Sequence, residues 1–132
     1  MGSNFNSHPD LKVDAKFTVG AEAGDVINVS VQLVDRLNGN EVAERIGMFW
    51  YLSSDANGDA VASAPSGGIA IGTDGLLIEW TANVAGLVVS ESDGDIDVNL
   101  TETGDGYFYL VLVMPDGKRM VSGIIDFVHG AS

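Results

Sequence analysis

Three observations in the sequence predict an all-β protein built as a single antiparallel β-sandwich. Apolar and polar residues alternate with a period of two in most segments, whereas the period of about 3.6 that marks an amphipathic helix is hard to find. Gly, Asn and Asp recur at short intervals, as they do at turns between short strands. The 132 residues, of which 45% are hydrophobic and 19% charged, suffice for one packed core but are few for two domains.

Two segments in the first half of the chain predict strands with different surroundings. Residues 27–33 alternate between aliphatic and polar side chains, which predicts one buried and one solvated face. The Asn38-Gly39 pair then predicts a turn. Residues 48–52 are apolar at every position, so we expect a central strand covered on both faces, with Trp50 as a core anchor.

The second half of the chain is predicted to hold six further strand segments separated by turn residues. Within one of them, alternate aliphatic side chains should face inward while Asp95 and Asp97 share the opposite face. The Pro115-Asp116-Gly117 sequence predicts the clearest hairpin, because proline presets one turn dihedral and glycine accepts a positive one. The six segments are residues 69–71, 76–80, 86–90, 96–101, 107–114 and 118–128.

The number and length of these segments narrow the type of sandwich. Seven to nine short strands in about 110 residues favour a sandwich of the immunoglobulin-like kind, although the Cys-Trp-Cys pattern of antibody domains is absent. No internal repeat or linker divides the chain, so we expect the sandwich to occupy residues 13–132 as one domain. Residues 1–12 are expected to form a short N-terminal arm that is flexible or docked on a partner.

The composition excludes several classes of function. Six Lys and Arg against 19 Asp and Glu give a formal net charge of -13, so the surface repels phosphate backbones and nucleic-acid binding is not expected. The absence of cysteine excludes disulfides, thiolate catalysis and zinc-thiolate sites. No segment reaches the roughly 18 apolar residues of a membrane span, and residues 1–10 lack the basic and apolar regions of an export signal. We therefore expect a protein made in soluble form, with no membrane partner.

Catalytic chemistry has little support in the sequence. The two histidines, His8 and His129, lie near opposite ends, and there is no nucleophile elbow, zinc-binding helix motif or phosphate-binding glycine loop. Acidic pairs for glycoside hydrolysis could be drawn from Glu79, Glu91 and Glu102, but any acidic sheet offers as many. The sequence predicts a protein that is not an enzyme and uses no cofactor.

The first of two acidic clusters has the spacing of a metal loop. Asp55, Asn57 and Asp59 are placed like the first three ligands of a calcium loop. Ala60 and Ser66, however, stand where the turn glycine and the closing glutamate belong. This mismatch favours an ion-free turn, with calcium as the weaker alternative.

The second acidic cluster comprises Asp93, Asp95 and Asp97. Asp95 and Asp97 are expected on one strand face, where their charges repel unless water, a cation or a basic partner separates them. A solvated outer face is the simpler interpretation. A docking surface for a basic patch on another protein is the alternative, and such binding would weaken with added salt.

Six blocks of sequence between Phe17 and Phe127 carry a family resemblance. The blocks are residues 17–23, 26–33, 51–59, 68–75, 92–99 and 109–117. They include the strings FTVGAEA, YLSSDANGD, GIAIGTDG and YLVLVMPDG. In these blocks the chain resembles small structural proteins of tailed bacteriophages.

The resemblance implies a component of the virion and supplies no catalytic residue to transfer. We expect a capsid decoration protein that is made in soluble form in the host cytoplasm and binds the outer surface of the phage head. Its partner is the major capsid protein, and it stabilises the shell by bridging capsid subunits. A homo-oligomer such as a trimer is a natural arrangement, and a tail or head-fibre component is the alternative. The residues expected to contact the capsid or another partner are Asp55, Asn57, Asp59, Asp93, Asp95, Asp97, Phe5 and Leu11.

Aromatic residues indicate one further hypothesis, a sugar- or receptor-binding module. Trp50, Trp80, Tyr107 and Tyr109 have carboxylates nearby in the sequence, and aromatic rings with neighbouring polar groups suit sugar faces. Three of the four lie in apolar runs, so we expect these rings to be in the core. The structural-protein hypothesis is therefore preferred.

Overall fold

The computed structural model describes residues 12–128, which form ten strands and no helix. No helix capable of crossing a membrane occurs within this range. Phe5, Leu11, His8 and His129, together with nearly all of the predicted N-terminal arm, lie outside the described residues. The strands are β1 (Val13–Val19), β2 (Val26–Asp35), β3 (Gly47–Ser53), β4 (Gly68–Ile71), β5 (Leu76–Thr81), β6 (Ala85–Val89), β7 (Asp95–Thr101), β8 (Gly106–Val113), β9 (Arg119–Val121) and β10 (Ile125–Phe127).

The strands form two antiparallel sheets, so the predicted all-β sandwich is confirmed. The four-stranded sheet has the order β1-β2-β7-β4. The six-stranded sheet has the order β10-β8-β3-β6-β5, with β9 also paired to β8. The turn at residues 72–75 carries the chain from the edge of the first sheet to the edge of the second, because β4 pairs with β7 and β5 pairs with β6.

The core lies between the sheets and is built from alternate residues of nearly every strand. Trp50 is the largest fully buried side chain, which confirms its prediction as the core anchor. Its indole Nε1 donates a hydrogen bond to the Ile78 carbonyl oxygen at 3.2 Å, so the ring also ties β3 to β5 across β6. A Cβ on Gly86, which lies between them, would overlap the same carbonyl oxygen, so this close approach requires glycine.

The alternation predicted for residues 96–101 and the hairpin at residues 115–117 are both confirmed. Alternate aliphatic side chains of β7 are buried, and Gly117 has a φ of 90° in the turn that pairs β8 with β9. The segment after this turn splits into two strands at Ser122. There the hydroxyl oxygen accepts a hydrogen bond from the Leu110 backbone N–H at 2.9 Å, so a side-chain oxygen replaces a backbone carbonyl as the partner of this N–H group. This split and the N-terminal β1 raise the strand count above the predicted seven to nine.

Two predictions about burial are wrong. Residues 48–52 are not covered on both faces, because Phe49 on the outer side of β3 is 52% exposed. Trp80 and Tyr107 are not core residues, because they are 64% and 50% exposed. In segments that are apolar at every position, alternation does not tell which side chains face inward, and the edge strand β5 has no neighbour to cover Trp80.

Candidate interaction surfaces

The outer face of the four-stranded sheet is polar and acidic. The register places Lys16, Gln32 and Asp95 in one row across β1, β2 and β7. The next row contains Thr18, Ser30 and Asp97. We call this surface the polar face, defined by Lys16, Thr18, Asn28, Ser30, Gln32, Asp95, Asp97 and Asn99.

Asp97 on the polar face holds the neighbouring turn in place. Its Oδ1 accepts hydrogen bonds from the backbone N–H groups of Thr73 and Asp74, at 2.9 and 2.7 Å, and from the Thr73 hydroxyl at 3.0 Å. Its Oδ2 accepts one from Asn28 Nδ2 at 2.8 Å. Desolvation acts to raise the pKa of Asp97, but these hydrogen bonds outweigh it and lower that pKa below its ordinary value. The carboxylate is thus occupied within the fold.

Asp95, two residues earlier on the same face, has a pKa that is shifted in the opposite direction, above its ordinary value. Desolvation raises its pKa, and the negative charge of Asp93 raises it further. The Asp93 carboxylate also accepts a hydrogen bond from the Asp95 backbone N–H at 3.2 Å, which fixes the Asp93-Gly94 turn. Asp95 therefore carries a charge that the folded state opposes, whereas Asp97 carries one that the folded state stabilises.

Substitutions of these two residues by asparagine are expected to change stability in opposite directions at pH 7. Asp97→Asn should lower the free energy of unfolding by about 1–2 kcal/mol, because hydrogen bonds to a charged acceptor are weakened. Asp95→Asn should raise it slightly, because a charge that the folded state opposes is removed. Since the pKa of Asp97 is lowered, its contribution is present above the ordinary carboxyl pKa of about 4 and is lost as the pH falls toward its own pKa.

Urea unfolding of both variants at pH 7 and near pH 3 checks this prediction. The deficit of Asp97→Asn should shrink at the lower pH, because below the ordinary carboxyl pKa the unfolded wild-type chain is protonated at this residue while the lowered pKa opposes protonation in the folded state. The penalty on Asp95 should also disappear as the pH falls through its raised pKa, so the two variants should approach the wild type from opposite sides. Shifts of the same sign at pH 7 would contradict the assignment.

The loop of the first acidic cluster closes on itself. Asp55 Oδ2 accepts hydrogen bonds from the backbone N–H groups of Asn57 at 3.0 Å and Asp59 at 3.2 Å. The Asp59 carboxylate lies 3.3 Å from Arg119 Nη1. Within residues 12–128 no group of three or more His, Cys, Asp or Glu side chains is arranged to hold a metal ion. These contacts give the cluster a role as a hydrogen-bonded turn.

The two predicted acidic clusters do not form one surface. The loop of the first cluster lies over the six-stranded sheet, where Gly58 O accepts a hydrogen bond from the Tyr51 hydroxyl at 2.6 Å. Asp93, Asp95 and Asp97 lie on the outer side of the other sheet or at its end. Two of the three carboxylates considered for glycoside hydrolysis are engaged separately, since Glu91 accepts a hydrogen bond from Gly75 N and Glu102 accepts one from Ser66 N.

An ion network at one end of the sandwich ties β1 to two turns. Arg36 Nε lies 2.6 Å from Asp14 Oδ1, and Arg36 Nη1 lies 2.8 Å from Asp116 Oδ2. Lys12 and Lys118 flank the same two carboxylates at 4.0 and 3.7 Å. The hydrogen bond from Arg36, followed by that from the Lys118 backbone, lowers the pKa of Asp116. Three of the six Lys and Arg residues are thus used within the fold at this end.

The outer face of the six-stranded sheet is apolar where β3, β5 and β6 meet. The register places Phe49, Leu87 and Ile78 in one row, and Val113 extends this row on β8. The rings of Phe49 and Trp80 lie 5.3 Å apart at 54°. We call this surface the apolar face, defined by Phe49, Leu76, Ile78, Trp80 and Leu87.

The apolar face is large for a surface left in water. Phe49, Leu76, Ile78 and Trp80 are each at least 40% exposed. Side chains of this size have on the order of 200 Å² to expose, so the four contribute roughly 400 Å², within the range of patches that often prove functional. No outward side chain on β3, β5 or β6 is charged. A groove of about 220 Å³ extends the surface along Phe49, Leu87, Val113 and Pro115.

The apolar face was not predicted from the sequence, although the sequence contains one indication of it. Leu76, Ile78 and Trp80 occupy alternate positions of a predicted strand, so they had to share a face. Leu77, between them, packs against the core, which turns the other three outward. Local sequence could not show this direction, because both sides of the segment are apolar apart from Glu79.

Comparisons with known proteins add no assignment to these surfaces. No family model matches the chain, and no curated protein matches it significantly.

Proposed function

We propose that the chain is a non-enzymatic structural protein of a bacteriophage virion, a capsid decoration protein that binds the outside of the head. The observation that carries the proposal is the contrast between the two outer faces. One presents uncharged aromatic and aliphatic side chains to water, and the other presents hydroxyl, amide and carboxylate groups. Such a domain suits a role in which one side is covered by a partner and the other stays solvated. The resemblance in sequence to phage structural proteins supplies the kind of partner.

The apolar face docks on the major capsid protein in this proposal. A standard interface covers about 800 Å² on each partner, so roughly 400 Å² of apolar surface would form its centre and polar residues around it would form the rim. Phe49 and Trp80 are the aromatic anchors expected at such a centre. Each copy contacts neighbouring capsid subunits, and the binding free energy summed over many copies opposes rupture of the shell.

The acidic polar face points away from the shell in this arrangement. A formal charge of -13 per copy then gives the decorated particle a strongly negative outer surface, which favours solubility and keeps particles apart. In the alternative, a tail or head-fibre component, the apolar face would dock on another virion protein. A sugar-binding role is less well supported, because sugar sites need convergent polar groups beside the rings, and the Tyr51 hydroxyl on the outward side of β3 is already bonded to the Gly58 carbonyl oxygen.

The test is binding of the purified protein to heads of the phage that encodes it. We expect saturable binding to expanded heads with fixed stoichiometry, and a higher melting temperature of the decorated heads. Because the apolar face is uncharged, the affinity should change little between about 50 and 500 mM salt. Docking through Asp93 and Asp95 on a basic patch would instead weaken steeply over that range. Failure to bind any form of the head would remove the proposal.

A further inference from the structure

The sheet edges of this sandwich are not equally protected against pairing with another strand. Natural proteins protect edges by keeping them short or by placing charges along them. In the described chain β4, β9 and β10 have 4, 3 and 3 residues. The edge strand β1 is longer, but carries Asp14 and Lys16. These four strands are therefore poor templates for an added strand.

The edge strand β5 has much less of this protection. It has six residues, of which Leu76, Leu77, Ile78 and Trp80 are apolar, and it pairs only with β6. It contains neither lysine nor proline, and Glu79 is its single charge. The irregularity in its register lies between Glu79 and Thr81, so the stretch before it remains a regular edge. Such an edge exposes unpaired backbone groups beside large apolar side chains.

We infer that β5 is a self-association edge, along which a second copy of this chain adds its own β5 in antiparallel orientation. The inference rests on the geometry of this edge and not on the proposed function. An antiparallel pairing of identical strands is isologous, since each strand is both template and addition, and it closes at two copies. The six-stranded sheets of the two copies would then form one continuous sheet.

The side chains on β5 support a second copy as the occupant. Leu76, Ile78 and Trp80 are 55%, 40% and 64% exposed, and in an antiparallel pair of β5 strands they would become cross-strand neighbours on one face, where pairs of aliphatic and aromatic side chains are favourable. Edge pairing covers only the flanks of these side chains and leaves their outer surface in water, so the interface is small, and complexes with small interfaces are weak and reversible. We therefore expect a dimer with a dissociation constant on the order of tens of micromolar.

The charge of the chain gives the dimer a distinctive salt dependence. Each copy carries a formal charge of -13, so two copies repel one another over long range. The contact strands contribute little to this repulsion, because Glu79 is the one charged residue of β5. Added salt screens the repulsion, so association should strengthen as salt rises. Binding of a basic partner would show the opposite dependence.

Pairing along β5 also has a consequence for the apolar face. The strand lies at the border of this face, so the faces of two copies would adjoin and their combined area would double. A dimer would then present one continuous surface with two sets of Phe49 and Trp80 anchors. Bivalent docking of this kind raises the apparent affinity for a repeating surface well above that of one copy.

Sedimentation velocity of the purified chain, without heads, tests the inference. From about 1 µM to 1 mM we expect a reversible monomer–dimer equilibrium whose dissociation constant falls several-fold between about 50 and 500 mM salt. Ile78→Lys places a charge on the edge and should weaken the dimer by at least about tenfold. Leu37→Lys, which places the same charge on an exposed apolar residue in the turn after β2 and away from the edge, is the matched control and should leave the equilibrium nearly unchanged. Trp80→Lys is the second edge variant if Ile78→Lys does not fold.

Three results would overturn the inference. They are a monomer throughout the concentration and salt range, a trimer as the end state, and a dimer that survives the edge substitutions. Equal weakening by Leu37→Lys and Ile78→Lys would show that the added charge alone lowers the affinity, wherever it is placed, and would also contradict edge pairing. Because heads are absent from the experiment, a monomeric result leaves the capsid-docking proposal to its own test.

Discussion

Replacing Phe49 and Trp80 together by serine is expected to lower the affinity of the protein for phage heads by at least about 100-fold. Aromatic residues at the centre of an interface commonly contribute 2 kcal/mol or more each, and about 1.4 kcal/mol corresponds to a factor of ten. The two rings contact each other on the apolar face, where they are its only aromatic side chains. Because both side chains are already more than half exposed, their loss should affect stability little.

The control for this double variant is Leu37→Ser. Leu37 is 84% exposed and apolar, but it lies in the turn after β2 and outside the apolar face. Its substitution removes exposed apolar surface without touching the docking surface, so affinity should stay within about twofold. Binding is measured by co-sedimentation with heads, and melting temperature reports folding of each variant. Unchanged affinity of the double variant, or an equal loss with Leu37→Ser, would contradict docking through the apolar face.

Replacing Trp50 by alanine is expected to lower the free energy of unfolding by about 3–5 kcal/mol. Removal of a buried Trp loses its burial and leaves a cavity that the surrounding side chains fill only partly. Trp50 is 1% exposed, and its hydrogen bond to the Ile78 carbonyl is lost as well. Since domains of this size commonly have about 5–15 kcal/mol of stability in total, the variant should be close to unfolding at 37 °C.

The second tryptophan supplies the matched control for Trp50→Ala. Trp80→Ala makes the same chemical change at a side chain that is 64% exposed, and we expect a loss below about 1 kcal/mol. Urea unfolding followed by far-ultraviolet circular dichroism measures both variants without relying on tryptophan fluorescence. Trp50→Phe should fall between them, because it retains most of the packing and loses the hydrogen-bond donor. Similar losses for Trp50→Ala and Trp80→Ala would contradict the assignment of Trp50 as the core anchor.

The parts of the fold that could be predicted are those in which aliphatic and polar residues alternate, because this alternation shows which side chains are buried. In residues 27–33 and 96–101 one face is aliphatic and the other polar, so the sequence alone shows which side chains face inward. The segment around Phe49 and the one around Ile78 are apolar on both faces. Their outward sides depend on which strands lie beside them, and that is a property of the assembled sheet.

The candidate surfaces show the same division between local and long-range information. The hydrogen bonds of Asp55 to its own loop join residues two and four apart, and the composition of that loop already favoured a turn with local hydrogen bonds. Asp97 is held by Thr73, 24 residues away, and Arg36 reaches Asp116 across 80 residues. No pattern in the sequence marks these pairs. The sequence therefore could not show which carboxylates of the two acidic clusters are used within the fold and which are left to solvent.

Hydroxyl-radical footprinting of the protein, free and bound to phage heads, tests whether the apolar face is the docking surface, because it reports the exposure of individual side chains. We expect oxidation of Phe49 and Trp80 to slow markedly on binding, while Leu37, outside the apolar face, is oxidised at the same rate in both states. If Phe49 and Trp80 are oxidised in the bound protein as fast as in the free protein, docking through the apolar face is wrong.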